Sequence, residues 1–154
     1  MKVLKAVEEV NEQQKSVIFR KLSKHFNGEL KGKTVALWGL AFKAETDDMR
    51  EATSLVTISR LLESGCTVRV FDPVAMNECR RRLGDSVTYA RDIYDAALGA
   101  DALLVLTEWK QFRLPSWEVV YRSMNHPAVF DGRNIYNPDD LRSLGFYYTS
   151  IGRP

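Results

Sequence analysis

Three cations in this chain could meet a phosphate: Lys43, Arg50 and Arg133. Lys43 and Arg50 belong to TVALWGLAFKAETDDMRE, Thr34 to Glu51. This stretch opens as an uncharged, buried-strand pattern over Thr34–Trp38 and breaks at Gly39 into a polar loop. A helical pattern resumes near Glu51 and Ala52, so Arg50 falls where a helix begins. The first amides of a helix have no partner within it, and strand, loop and helix N-terminus in that order make a place for an anion. Arg133 stands in Asp131-Gly132-Arg133-Asn134. Its rigid fork suits phosphate oxygens or sugar hydroxyls, although an arginine after a strand can equally form a surface ion pair.

Bringing these cations together needs a sheet whose strands all end on one side. From Lys31 onward, apolar runs alternate with helical patterns. Strands are expected over Thr34–Trp38, Thr67–Phe71, Val87–Tyr89, Ala102–Leu106, Ala128–Phe130 and Phe146–Thr149. Helices are expected over Ala52–Ser64, Ala75–Leu83, Ile93–Leu98, Ser116–Met124 and Asp139–Ser143. Near-continuous apolar strands separated by helices predict a parallel sheet covered on both faces. Right-handed crossovers make it an α/β, doubly wound, Rossmann-like domain of five to six strands, with ligands at the strands' C-terminal ends. Those ends carry Gly39 to Arg50, Asp72–Pro73, Thr107-Glu108-Trp109-Lys110 and Asp131 to Asn134. Trp109 offers a flat face to a base, a ribose or an arginine, or packs to close an edge. Asp47 and Asp48 could cap the helix at Ala52.

Ahead of this domain, residues 2 to about 27 predict one long helix, with Val3, Val7, Val10, Val17, Leu22 and Phe26 on one stripe and a stop at Asn27–Gly28. The stripe could dock on the domain or on another chain, as the stump of a longer connecting or dimer-forming helix. The chain divides accordingly into residues 1–30 and 31–154.

Several functions are argued against. Net charge is +2, from 22 basic and 20 acidic interleaved residues, so no basic field calls for nucleic acid. No apolar run approaches the roughly 18 residues that span a bilayer, and acidic residues stand where a signal peptide would be apolar. Cys66 and Cys79 fit a reducing compartment and propose no disulfide, and no Cys/His spacing suggests a metal. A cytoplasmic location is the default reading. His25 and His126 read as structural or solvent-exposed, and neither cysteine has an activating base, so no catalytic residue is expected. After the first strand a dinucleotide fingerprint would read G-x-G-x-x-G. The chain has Gly39-Leu40-Ala41-Phe42-Lys43-Ala44, with only the first glycine. Asp72 mimics the ribose-binding acid of such folds, but NAD in the standard manner is not expected.

These segments resemble a known family. GLAFKAETDDMREA (Gly39 to Ala52) is similar to the stretch opening the C-terminal domain of the UDP-glucose/GDP-mannose dehydrogenase family. The similarity continues through VFDPVA (Val70 to Ala75), ADALLVLTEWKQF (Ala100 to Phe112), VFDGRNIY (Val129 to Tyr136) and GFYYTSIGR (Gly145 to Arg153). AVEEVNEQQK (Ala6 to Lys15) resembles the end of the family's central helix. The TEW and DGR segments favour the UDP-glucose 6-dehydrogenase branch. The resemblance implies a three-part enzyme, with an NAD-holding domain, a dimerising helical region and a domain for the UDP part of the substrate. It further implies two-step NAD-dependent oxidation of UDP-glucose to UDP-glucuronate through a catalytic cysteine. Neither that cysteine's motif nor the NAD fingerprint is in this sequence, so the chain is expected to correspond to the UDP-binding part and to be inactive alone. Carried over by position, Phe42, Lys43 and Arg133 would contact the UDP-sugar and Arg50 would reach toward NAD held elsewhere. Homo-oligomerisation through the central helix is implied as well. The alternatives are a stand-alone nucleotide-binding or dimerisation module, or a domain serving another nucleotide sugar.

Overall fold

A computed structural model of the chain describes residues 13–152. Six strands form one all-parallel sheet: β1 (Thr34–Trp38), β2 (Thr67–Phe71), β3 (Thr88–Tyr89), β4 (Ala102–Val105), β5 (Ala128–Asp131) and β6 (Tyr147–Ser150). Their order is β3-β2-β1-β4-β5-β6. The direction of winding therefore reverses between β1 and β4, where a doubly wound sheet opens a crevice beyond its C-terminal ends.

The residue pattern explains the layers. β4 and β5 are buried along their whole length, as central strands covered on both faces require. Along β1, Val35 and Leu37 join the core beneath α1 (Val17–His25), α2 (Thr53–Glu63) and α3 (Met76–Leu83). Ala36 and Trp38 point the other way, into the core beneath α4 (Ile93–Ala97), α5 (Trp117–Ser123) and α6 (Pro138–Ser143). Trp38 is fully buried, and its indole N–H donates to the Ile93 carbonyl at 3.0 Å, so the large side chain carries no unmet donor into the core.

Most strand and helix limits fall within a residue of those expected from the sequence. The first helix differs. Helical residues 13–15 run into a turn at Ser16, whose hydroxyl donates to the Gln13 carbonyl at 3.1 Å, before α1 begins. Such local bonding by serine competes with the helical ladder. Ile18 and Leu22 are buried against the domain, so over the described residues the apolar stripe is a docking face. The expected helix over residues 2–12 lies outside the described residues. The stop is where the sequence placed it: Asn27 and Gly28 take φ of 54° and 77°, and the Gly28 amide donates back to the Ser23 carbonyl at 2.8 Å.

Candidate functional site

Gly39 begins the site. Its φ is 98°, and a Cβ there would lie 2.5 Å from Thr107 side-chain atoms, so only glycine lets the chain leave β1 this close to the β4 end. The Thr107 hydroxyl then donates to the Ala41 carbonyl at 2.8 Å, and the Phe42 amide to the Asp48 carbonyl at 3.0 Å. The loop is thus closed on itself, and Phe42 and Lys43 stand out at its tip. Phe42 is exposed, with the Lys43 ammonium 5.3 Å from its ring centre. Glu45 and Glu51, on either arm, both have positive φ, of 67° and 60°. Left-handed backbone at non-glycine residues has an energetic cost and is found where a loop is held for a purpose.

Two buried aspartates hold the loops. Asp72, at the end of β2, accepts the Leu40 and Ala41 amides at 2.8 and 3.2 Å, the Val74 and Ala75 amides at 2.9 Å each, and the Trp109 indole at 3.3 Å. Asp131, at the end of β5, accepts the amides of Arg133, Ile135 and Tyr136 and the Tyr148 hydroxyl. Charge-assisted acceptance from several amides keeps a buried carboxylate satisfied. Asp72 is therefore a brace between loops and not a ribose ligand. Its consumption of the Leu40 and Ala41 amides leaves the first loop without the open amide cradle a dinucleotide pyrophosphate needs. Trp109 is buried and packs with Trp38 and Phe112 in one core, so of its two readings packing is the one realised.

The cations separate into two groups. Arg133 Nη2 lies 2.7 Å from Glu108 Oε2, and Glu108 Oε1 accepts the Ala44 amide at 3.3 Å. Glu108 so connects the Phe42–Lys43 loop to Arg133 across the β4–β5 ends. Arg50 is elsewhere. Its guanidinium pairs with Asp48 at 2.8 and 3.0 Å in solvent, and these bonds hold the Asp48 carboxyl down to about 2. Asp48 is thus engaged by Arg50 and does not cap α2, whose N-cap, Ala52, has no side chain to offer. A cavity of about 200 Å³ adjoins Arg133, lined also by Lys15, Ile18, Thr53 and Gly132.

Burial pushes both the Cys66 and the Cys79 thiol up, the opposite of an activated nucleophile. His25 and His126 pair with each other, Nε2 to Nε2 at 3.0 Å, at the N-terminal edge of β5 and away from the loops that hold Arg133. Among the described residues, no cluster of three or more His, Cys, Asp or Glu could hold a metal, and no helix is long and apolar enough to cross a membrane.

The sequence profile of the UDP-glucose/GDP-mannose dehydrogenase family, UDP binding domain, matches residues 36–138. The chain belongs to this family. It is 48% identical to the UDP-glucose 6-dehydrogenase of Pseudomonas aeruginosa over 99% of its length, and 39% identical to that of Rhizobium meliloti over 94%. It spans 35% and 33% of those relatives, about a third of each. Among solved structures, a UDP-glucose dehydrogenase from Pyrobaculum islandicum superposes with a TM-score of 0.81 at 32% identity, covering 97% of this chain and 32% of that one. An NDP-N-acetyl-D-galactosaminuronic acid dehydrogenase from Methanosarcina mazei gives 0.73 at 26% identity, covering 92% and 29%.

The family stretch around Gly39 to Ala52 is therefore built as one closed loop, with Lys43 beside Phe42 and Arg50 paired to Asp48. Glu108 is the partner of Arg133 that the residue types did not announce. It lies in the TEW segment that marked the family branch, but a lone glutamate after a strand gives no sign of which cation it will meet.

Proposed function

We propose that this chain binds the uridine diphosphate part of a UDP-sugar and supplies that site to a UDP-glucose 6-dehydrogenase, which oxidises UDP-glucose to UDP-glucuronate with NAD. The observation that carries this is Arg133, beyond β5 near the point where the winding reverses, joined through Glu108 to the loop bearing Phe42 and Lys43. Phe42 and Lys43 present a ring and a cation to one ligand, and Arg133 adds a fork suited to phosphate oxygens. The relatives named UDP-glucose 6-dehydrogenase, and the UDP-binding profile, support the choice of nucleotide.

NAD does not fit the first loop, whose amides are committed to Asp72 and Asp48. In this reading the dinucleotide is held mainly by other parts of the enzyme, and the exposed Arg50 extends toward it. The nucleophile likewise comes from outside residues 13–152, because both thiols described are buried. Oligomerisation through the segment that precedes α1 belongs to the same proposal.

A calorimetric titration with UDP, and with GDP for comparison, tests the nucleotide assignment. UDP should bind and GDP should bind at least about tenfold more weakly, a difference of about 1.4 kcal/mol. Equal binding of the two, or binding of neither, overturns it.

A further inference from the structure

We infer that Lys15, just ahead of the Ser16 turn, is a third cationic ligand for the diphosphate beside Lys43 and Arg133, sharing one cavity with Arg133. This rests on the UDP reading and extends it to a residue outside the sheet and its loops. The cavity lies beyond the C-terminal ends of β4 and β5 and is walled by Lys15, Ile18, Thr53, Gly132 and Arg133. Its volume, about 200 Å³, is several times the roughly 30 Å³ share of a water and below the range of roughly 300–1,000 Å³ for pockets that enclose a whole ligand. It has room for a phosphate or diphosphate, with the remainder of the ligand lying outside.

The charges are arranged for exchange. The Lys15 side chain is only 16% exposed, and its ammonium lies 2.9 Å from the Glu51 carboxylate, which is 88% exposed. Arg133 is held by Glu108 through Nη2 and keeps further N–H donors for a phosphate. An ion pair with an exposed carboxylate contributes about 0–1 kcal/mol, so a multiply charged phosphate can take Lys15 from Glu51. Glu51, held in left-handed backbone one residue before the α2 N-cap, can swing into solvent when this happens. Gly132 keeps the floor tight, since a Cβ there would come within 3.0 Å of the Val105 carbonyl and 3.2 Å of Ile18. The segment entering α1 thus contributes a ligand and is more than a connector.

Calorimetry on the intact chain, with inorganic pyrophosphate and UDP as probes, tests this on Lys15→Gln, Lys15→Arg, Glu51→Gln and, as a control on the exposed side of α1, Lys24→Gln. Lys15→Gln should weaken both ligands about tenfold, the loss of one charge-assisted contact; Lys15→Arg should recover most of it and Lys24→Gln should change nothing. Glu51→Gln breaks the pair but leaves the cation, so it should bind pyrophosphate at least as well as the parent. UDP binding by Lys15→Gln equal to the parent's overturns the role of Lys15 and leaves the UDP reading standing. Failure of the parent to bind either probe overturns both. Weakening in Glu51→Gln equal to that in Lys15→Gln means the pair is only structural, which also overturns the inference.

Discussion

Glu108 and Arg133 meet at 2.7 Å between the C-terminal ends of β4 and β5, and the second Glu108 oxygen accepts the Ala44 amide at 3.3 Å. One carboxylate thereby sets the spacing between the loop that carries Lys43 and the arginine that faces it. Glu108→Gln keeps an acceptor for Ala44 and loses the charge, whereas Glu108→Ala loses both. UDP affinity should fall about tenfold in the alanine variant and by less than about threefold in the glutamine variant, as the loss of a hydrogen bond to a charged group implies. Equal effects in the two variants would separate the loop from Arg133.

Lys43 and Arg133 are expected to carry the anion directly. Replacing either by alanine should weaken UDP binding by about 1.5–3 kcal/mol, the range for hydrogen bonds to charged groups. Both are exposed, so the midpoint of urea unfolding should hardly move. Unchanged affinity in both variants would remove the site assignment.

Asp72 should behave in the opposite way. Its buried carboxylate satisfies four backbone amides and one indole. Asp72→Ala leaves those donors unmet at about 1–3 kcal/mol for each buried group that water cannot reach, so a loss of more than about 3 kcal/mol is expected in urea unfolding. A ribose-binding acid would instead lose affinity and keep its stability.

His25 predicts a pH dependence of stability. Burial, and then the neighbouring His126, lower its pKa from 6.5. The unfolded chain therefore takes up the proton more readily than the folded one, and stability rises with pH through this window. It is fully present above about 6.5 and is lost as pH falls toward the lowered folded value. Urea midpoints should drop between about pH 7.5 and 5.5, and His25→Gln should flatten that drop. An unchanged slope in the variant would assign it to other groups.

Much of this architecture was legible because its causes are local. β1 and β2 coincide with the expected runs Thr34–Trp38 and Thr67–Phe71, since short β-branched stretches followed by glycine or by Asp-Pro leave little choice. The roles of polar residues were less legible. Asp72 at a strand end looks like a ligand-binding acid, and only the positions of Leu40, Ala41 and Trp109 show that it is a brace. Asp48 looks like a helix cap, yet Arg50 two residues on takes its carboxylate. Lys15 read as part of one continuous helix until the turn at Ser16 and the pair with Glu51 placed it beside Arg133 in the cavity. Each depends on a partner far along the chain or on a loop conformation that composition does not specify.

UDP is expected to bind where the loop of Phe42 to Ala44 faces Arg133. The most direct measurement is a map of backbone amide shifts as UDP is added to the isotopically labelled chain. The largest changes should fall on Phe42, Lys43, Ala44, Gly132 and Arg133, with His126 and the N-terminal edge of β5 unaffected. Saturable shifts centred instead on the His25–His126 edge, or on the outer face of α5, would place the nucleotide away from Arg133 and overturn the assignment.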